Sequence, residues 1–68
     1  MDKIEALELI KETWDNNSLS LGDKISTISN AFYTVGLDMA TTAAYIKATP
    51  AEFYAFLSLS ELDEDIIN

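Results

Sequence analysis

The chain has 68 residues, with 12 acidic and 4 basic side chains, a formal net charge of −8, and neither histidine nor cysteine. Zinc fingers, disulfide frameworks, haem ligation, thiol nucleophiles and every Ser-His-Asp or Cys-His arrangement are thereby excluded, which leaves carboxylates as the only candidate metal ligands. A hydrophobic content of 49% beside 24% charged residues is that of a folded domain, and a chain this short has material for one core.

Ile4, Leu7, Ile10 and Trp14 recur at spacings of three and four, which predicts a helix from about Asp2 to Asp15 with these residues on its buried face. Asp15-Asn16-Asn17-Ser18 is a polar breaker cluster. Ser20 and Asp23 have capping-box spacing and open a second helix whose Ile25, Ile28, Phe32 and Val35 form its apolar stripe. Gly36 stands where a left-handed C-cap would close it. Asp38 is a good N-cap for a short third helix carrying Met39, Ala43 and Ile46 inward, with Ala40 and Ala44 small enough to permit close helix approach. Thr49-Pro50-Ala51-Glu52 combines a capping Thr, a Pro at the first helical position and a Glu three residues after the cap, so a fourth helix starts there and buries Phe53, Phe56 and Leu57. Ser60 and Asp63 repeat the cap spacing before Leu62, Ile66 and Ile67, which suggests a last short helix or a packed tail. No segment has convincing strand character. The expected fold is all-α, a compact bundle of four to five short helices in a single domain over 1–68.

Two short helices joined by about three residues, the second opened by Thr-Pro, have the layout of a helix-turn-helix, centred on 38–59. Residues 36–66 resemble the helix-turn-helix segment of ParB- and KorB-type partition proteins without a gap. The resemblance rests on Gly36-Leu37 before the first helix, Ala43 and Ile46 within it, and Phe53, Phe56, Leu57, Leu59 and Leu62 with the ending Glu64-Asp65-Ile66. It covers 31 of 68 residues, most of them apolar, and so implies a fold more than an activity. What the resemblance implies for function is a second helix whose outer side reads the DNA major groove. Here that surface would be Thr49, Pro50, Ala51, Tyr54, Ala55 and Ser58, with Lys47 the only base nearby. The chain departs from the pattern in two ways. Lys47-Ala48 replaces the usual turn glycine, which demands either a different backbone conformation or local strain. The reading surface also has no Arg, Asn or Gln to make bidentate base contacts.

Charge argues the same way. Residues 38–68 carry 6 acids and only Lys47 as a base, whereas phosphate contacts need several basic groups on one face. Duplex DNA is therefore not expected to bind the chain alone, and a DNA-binding transcriptional or partition regulator, completed by a dimer or a partner, is the alternative. The favoured expectation is a small acidic non-catalytic module for protein–protein interaction, regulatory or inhibitory. Its candidate surface is Tyr45, Ala51, Tyr54 and Ser58 with the acidic cluster Glu61, Asp63, Glu64 and Asp65. That cluster can face a basic partner, or it can simply complement a helix dipole and keep the protein soluble. It lacks the ligand alternation and central Gly of a calcium loop, so no metal is expected. Tyr33 completes the tyrosine set, and each tyrosine could instead lay its ring along the core edge. Leu9, Leu19 and Leu59 fall off the main apolar stripes, which leaves a homodimer open.

No Gly-rich phosphate loop or basic transition-state clamp accompanies the carboxylates, so neither catalytic residues nor a cofactor are expected. The first residues, Met1-Asp2-Lys3-Ile4-Glu5, interleave acids where a secretory leader needs a basic start and an apolar stretch. No apolar run nears the roughly 20 residues of a membrane span. A cytoplasmic protein without a membrane partner is expected.

Overall fold

The computed structural model describes residues 1–67, and the surroundings of side chains over 1–59. Four helices follow one another: α1 (Lys3–Asp15), α2 (Leu21–Thr34), α3 (Met39–Tyr45) and α4 (Pro50–Ile67). The first three starts are capped by side chains, at the expected Ser20 and Asp38 and, for α1, at Asp2, which lies just outside the helix. Asp2 accepts the Glu5 N–H at 2.8 Å, Ser20 Oγ accepts the Asp23 N–H at 3.2 Å, and Asp38 accepts the Thr41 N–H at 2.9 Å. At α4 the capping box is reciprocal: Thr49 Oγ1 accepts the Glu52 N–H at 3.1 Å, while Glu52 Oε1 accepts the Thr49 N–H at 3.2 Å.

α1 lies along α2, and α4 crosses both α2 and α3, with a smaller contact between α1 and α3. The core between them comprises Ala6, Ile10, Ile28, Ala31, Phe32, Ala43, Ile46, Phe53 and Leu57. Phe53 is its centre. Its ring meets Phe32 at 5.3 Å and Trp14 at 6.1 Å between centroids, both in the inclined orientations that aromatic quadrupoles favour.

Several expectations need correction. Ile4 is 68% exposed, and the fully buried positions of α1 are Ala6, Ile10 and Thr13. Two residues along a helix turn the chain by about 200°, so burying Ala6 puts Ile4 on the far side. Close contact with α2 favours the small side chain over the larger one. Leu9 is not off the stripe but packs partly against the core. Ala40 and Ala44 are exposed, and Ala43 is the small residue buried in the bundle. Phe56 is only half-buried, at the edge of the core. Nor does Ser60 open a fifth helix, since α4 runs unbroken to Ile67. No Gly or Pro interrupts 57–63, and Leu57, Leu59, Glu61 and Leu62 are good helix formers, so the cap spacing at Ser60 has nothing to terminate the preceding turn.

Both corners flanking α3 turn through a left-handed residue that lets backbone N–H groups fold back onto the last turn, one such bond after α2 and the two of a Schellman motif after α3. After α2 the left-handed residue is Gly36 (φ 68°), and the Leu37 N–H reaches the Phe32 carbonyl at 3.1 Å. After α3 it is Lys47 (φ 61°), with Lys47 N–H on the Ala44 carbonyl at 3.1 Å and Ala48 N–H on the Ala43 carbonyl at 2.9 Å. Of the two solutions the sequence allowed at this turn, local strain is the one adopted. Leu37 and Ala48 then tuck against the core.

Candidate functional site

The α3–turn–α4 unit presents its outer side through one stripe of α4. Ala51, Tyr54, Ala55 and Ser58 fall at i, i+3, i+4 and i+7, which stacks them on a single face opposite Phe53 and Leu57. Ala51, Tyr54 and Ala55 are exposed, and Ser58 is half-buried with its Oγ donating to the Tyr54 carbonyl at 2.9 Å. Tyr54 is 65% exposed. Tyr45, the last residue of α3, is also exposed. Tyr33 is exposed as well, at 64%, although its ring stands edge-on to Phe32 at 5.1 Å between centroids.

The residues of the DNA alternative are placed at the same end. Lys47, Thr49 and Pro50 are exposed beside the start of α4. Thr49 is not free to contact a ligand, since its hydroxyl is shared between the Glu52 N–H and the Glu52 carboxylate. That carboxylate also puts negative charge at the α4 N-terminus, where an incoming phosphate would otherwise be favoured. Lys11 and Lys24 are occupied elsewhere. Lys11 pairs with Asp15 at 3.4 Å, and Lys24 Nζ donates to the Trp14 carbonyl at 3.1 Å. Lys3 lies close enough to Asp38 to help lower its carboxyl below the ordinary 3.8, chiefly an effect of the hydrogen bond from the Thr41 N–H.

The side chains of Glu61, Asp63, Glu64 and Asp65 lie outside the described residues. Among the described residues no group of three or more carboxylates is placed to hold a metal ion. No helix of the described residues is long and apolar enough to cross a membrane.

Among the described residues two shallow grooves open on the surface. One, of about 190 Å³, lies between Met1, Leu9 and the Thr27–Asn30–Thr34 side of α2. The other, of about 250 Å³, lies between Trp14, Leu21, Lys24 and Phe56. The sequence pattern did not reveal the second, because Trp14 and Phe56 read as ordinary core aromatics. The signal available in advance was Leu21, an apolar residue at the solvent-facing start of α2.

No family model, curated protein or solved structure matches this chain. The functional reading therefore rests on its residues and geometry.

Proposed function

We propose that this chain is a small acidic, non-catalytic binding module of the cytoplasm that uses a helix-turn-helix-like scaffold to engage another protein, as a regulator or inhibitor. The observation that carries the reading is Tyr54: a large amphipathic side chain, 65% exposed, on a stripe of uncharged residues in a protein of net charge −8. Tyrosine gives much contact area for little rotamer entropy, and a flanking rim of alanines lets a partner approach closely. Tyr45, Ala51 and Ser58 extend this surface, and Glu61, Asp63, Glu64 and Asp65 supply acids for a basic rim on the partner.

Affinity capture from host lysate with the wild-type chain and with Tyr54→Ser tests it. The expected result is a specific protein held by the wild type and weakened about thirtyfold in the variant, the effect of losing one interface hot spot. Equal capture by both chains, each with the same thermal midpoint, contradicts it.

A second reading is favoured by one observation, the exposed Lys47 held in a left-handed turn immediately before α4. In that reading the chain is a DNA-binding regulator that brings two copies, or a basic partner, to the duplex through Lys47, Thr49, Pro50, Ala51, Tyr54 and Ala55. Lys47→Ala would then weaken duplex binding at every sequence equally, because a lysine on phosphate positions without specifying.

A further inference from the structure

α2 turns one face to water, and Asn30 stands at the middle of it. At about 100° per residue, Asn30 points about 160° away from Ile28 and Phe32, the residues α2 contributes to the core. Tyr33 then lies about 60° to one side of Asn30, and Thr27 and Thr34 about 40–60° to the other. The two sides have opposite relief. On the first the Tyr33 ring projects, 64% exposed and steadied by its edge-on contact with Phe32 at 5.1 Å. On the second a groove of about 190 Å³ lies between Thr27, Asn30 and Thr34 and the opposing Leu9 and Met1, with the buried Ala31 beneath. That volume falls below the roughly 300 Å³ at which small-molecule sites begin and suits one aromatic side chain.

A knob and a hole on opposite sides of one helix match each other in a particular symmetry. When two copies of α2 run parallel about a two-fold axis along the helices, the Tyr33 side of each copy meets the groove side of the other. An axis across the helices would instead set Tyr33 against Tyr33. Charge permits the approach, because residues 25–37 contain no charged side chain in a chain of net charge −8. Asp23 in the first turn of α2, and Asp2, Glu5 and Glu12 on the Leu9 side of α1, stand around this face and are all acidic. A basic protein would answer that rim, but a second copy supplies at once the knob for the hole and the hole for the knob. We propose that the outer face of α2 is a homodimer interface, in which the Tyr33 ring of each copy enters the Leu9–Thr27–Thr34 groove of the other and Asn30 lies beside the partner's Asn30. The Thr34 hydroxyl donates to Asn30 Oδ1 at 3.2 Å, which leaves the Asn30 amide N–H groups to donate across the axis. The acidic rim gives the dimer a distinctive salt response: it tightens as salt screens the repulsion between copies. This inference goes beyond the Tyr54 reading and uses a different face.

Sedimentation velocity of the full chain at up to about 1 mM, a range that reaches weak association, tests it. Salt is set at about 0.1 M and 1 M, where the screening length falls from about 10 Å to 3 Å. A concentration-dependent dimer is expected, about threefold or more tighter at the higher salt. Tyr33→Ser removes the knob, and Thr34→Trp fills the groove from an exposed position. Each should weaken the dimer about tenfold or more with the helical circular dichroism unchanged, whereas Tyr54→Ser should leave it intact. In a dimer mixed from isotope-labelled and unlabelled copies, the Tyr33 ring should show NMR contacts to the partner's Leu9. A chain that stays monomeric at both salts, a dimer indifferent to Tyr33→Ser and Thr34→Trp, or contacts of Tyr33 to the partner's Tyr33 in place of Leu9 would each overturn the proposal. The Tyr54 capture reads another face, so its result stands apart from this one.

Discussion

The corners on either side of α3 share a fold and differ in chemistry. Both close a helix through a left-handed residue, at φ 68° for Gly36 and 61° for Lys47, and both deliver the next residue, Leu37 or Ala48, to the core. Glycine reaches that conformation without steric cost, whereas a residue with a Cβ loses about 1–2 kcal/mol there. The same backbone geometry is thus obtained once by a permissive residue and once against the local preference of the chain. Tertiary packing imposes the second corner: α3 has only 7 residues, and Ala43, Ile46 and Phe53 on its two sides meet in one core that closes only if the chain reverses at Lys47. Lys47 is also the only base in residues 38–68, so strain and the single positive charge of the candidate site coincide at one residue.

The largest effect that tests this dependence is on Phe53. Phe53→Ala removes the fully buried ring of the core on which both corners pack and should cost about 3–5 kcal/mol. A chain of this length has roughly 3–10 kcal/mol in total, so loss of the cooperative thermal transition by circular dichroism is expected. A variant that kept its full transition would show that the corners do not depend on a common core. Phe56→Ala should cost less, because Phe56 is only half-buried.

Gly36→Ala comes next, with a loss of about 1–2 kcal/mol. Nothing lies within 4 Å of a Cβ built at Gly36, so the whole penalty belongs to the backbone. Thr49→Ala, which breaks the capping box after the second corner, should cost about 1 kcal/mol, or roughly 4–8 °C in melting temperature. The converse substitution, Lys47→Gly, relieves strain but loosens the unfolded chain, and should gain about 0.5–1 kcal/mol. Chemical denaturation of the pair Gly36→Ala and Lys47→Gly therefore gives shifts of opposite sign; shifts of the same sign would mean the two corners are not equivalent.

The smallest effect is a pH dependence at the cap between the corners. The Asp38 carboxyl is lowered by its bond to the Thr41 N–H, so its contribution is present above the ordinary value of 3.8 and is lost as pH falls through the lower folded-state value. Asp38→Asn, which still caps, should flatten that acid limb of the stability profile while changing neutral-pH stability little.

What could be read in advance follows the range of the forces involved. Caps are local, so Ser20, Asp38 and Thr49 were legible from the residues that follow them, whereas Asp2 was read as part of α1. The stripe of α2 was legible because Ile25, Ile28 and Phe32, its large apolar residues at helical spacing past the first turn, are also buried. α1 misled because apolarity and burial part company there: the face is chosen by fit against α2, which selects Ala6 and Thr13 and leaves Ile4 in water. Thr42 was hidden for a related reason. It is fully buried, yet its hydroxyl is satisfied by the Asp38 carbonyl at 2.8 Å within its own helix. Of the candidate site, the exposed α4 stripe followed from helical period alone, while the Trp14–Phe56 groove depends on how α4 packs on α2 and brings Phe56 to Trp14, with the apolar Leu21 its one local sign.

In the proposed role, this scaffold lacks the means to grip a phosphate backbone and serves a protein partner instead. That role is tested most directly by titrating the chain into fluorescent random-sequence duplex at about 50 mM salt, where electrostatic binders are at their strongest. The account predicts no saturable change in anisotropy as the protein is raised into the micromolar range. Saturable low-micromolar binding that Lys47→Ala weakens would contradict it and make the second corner a DNA contact.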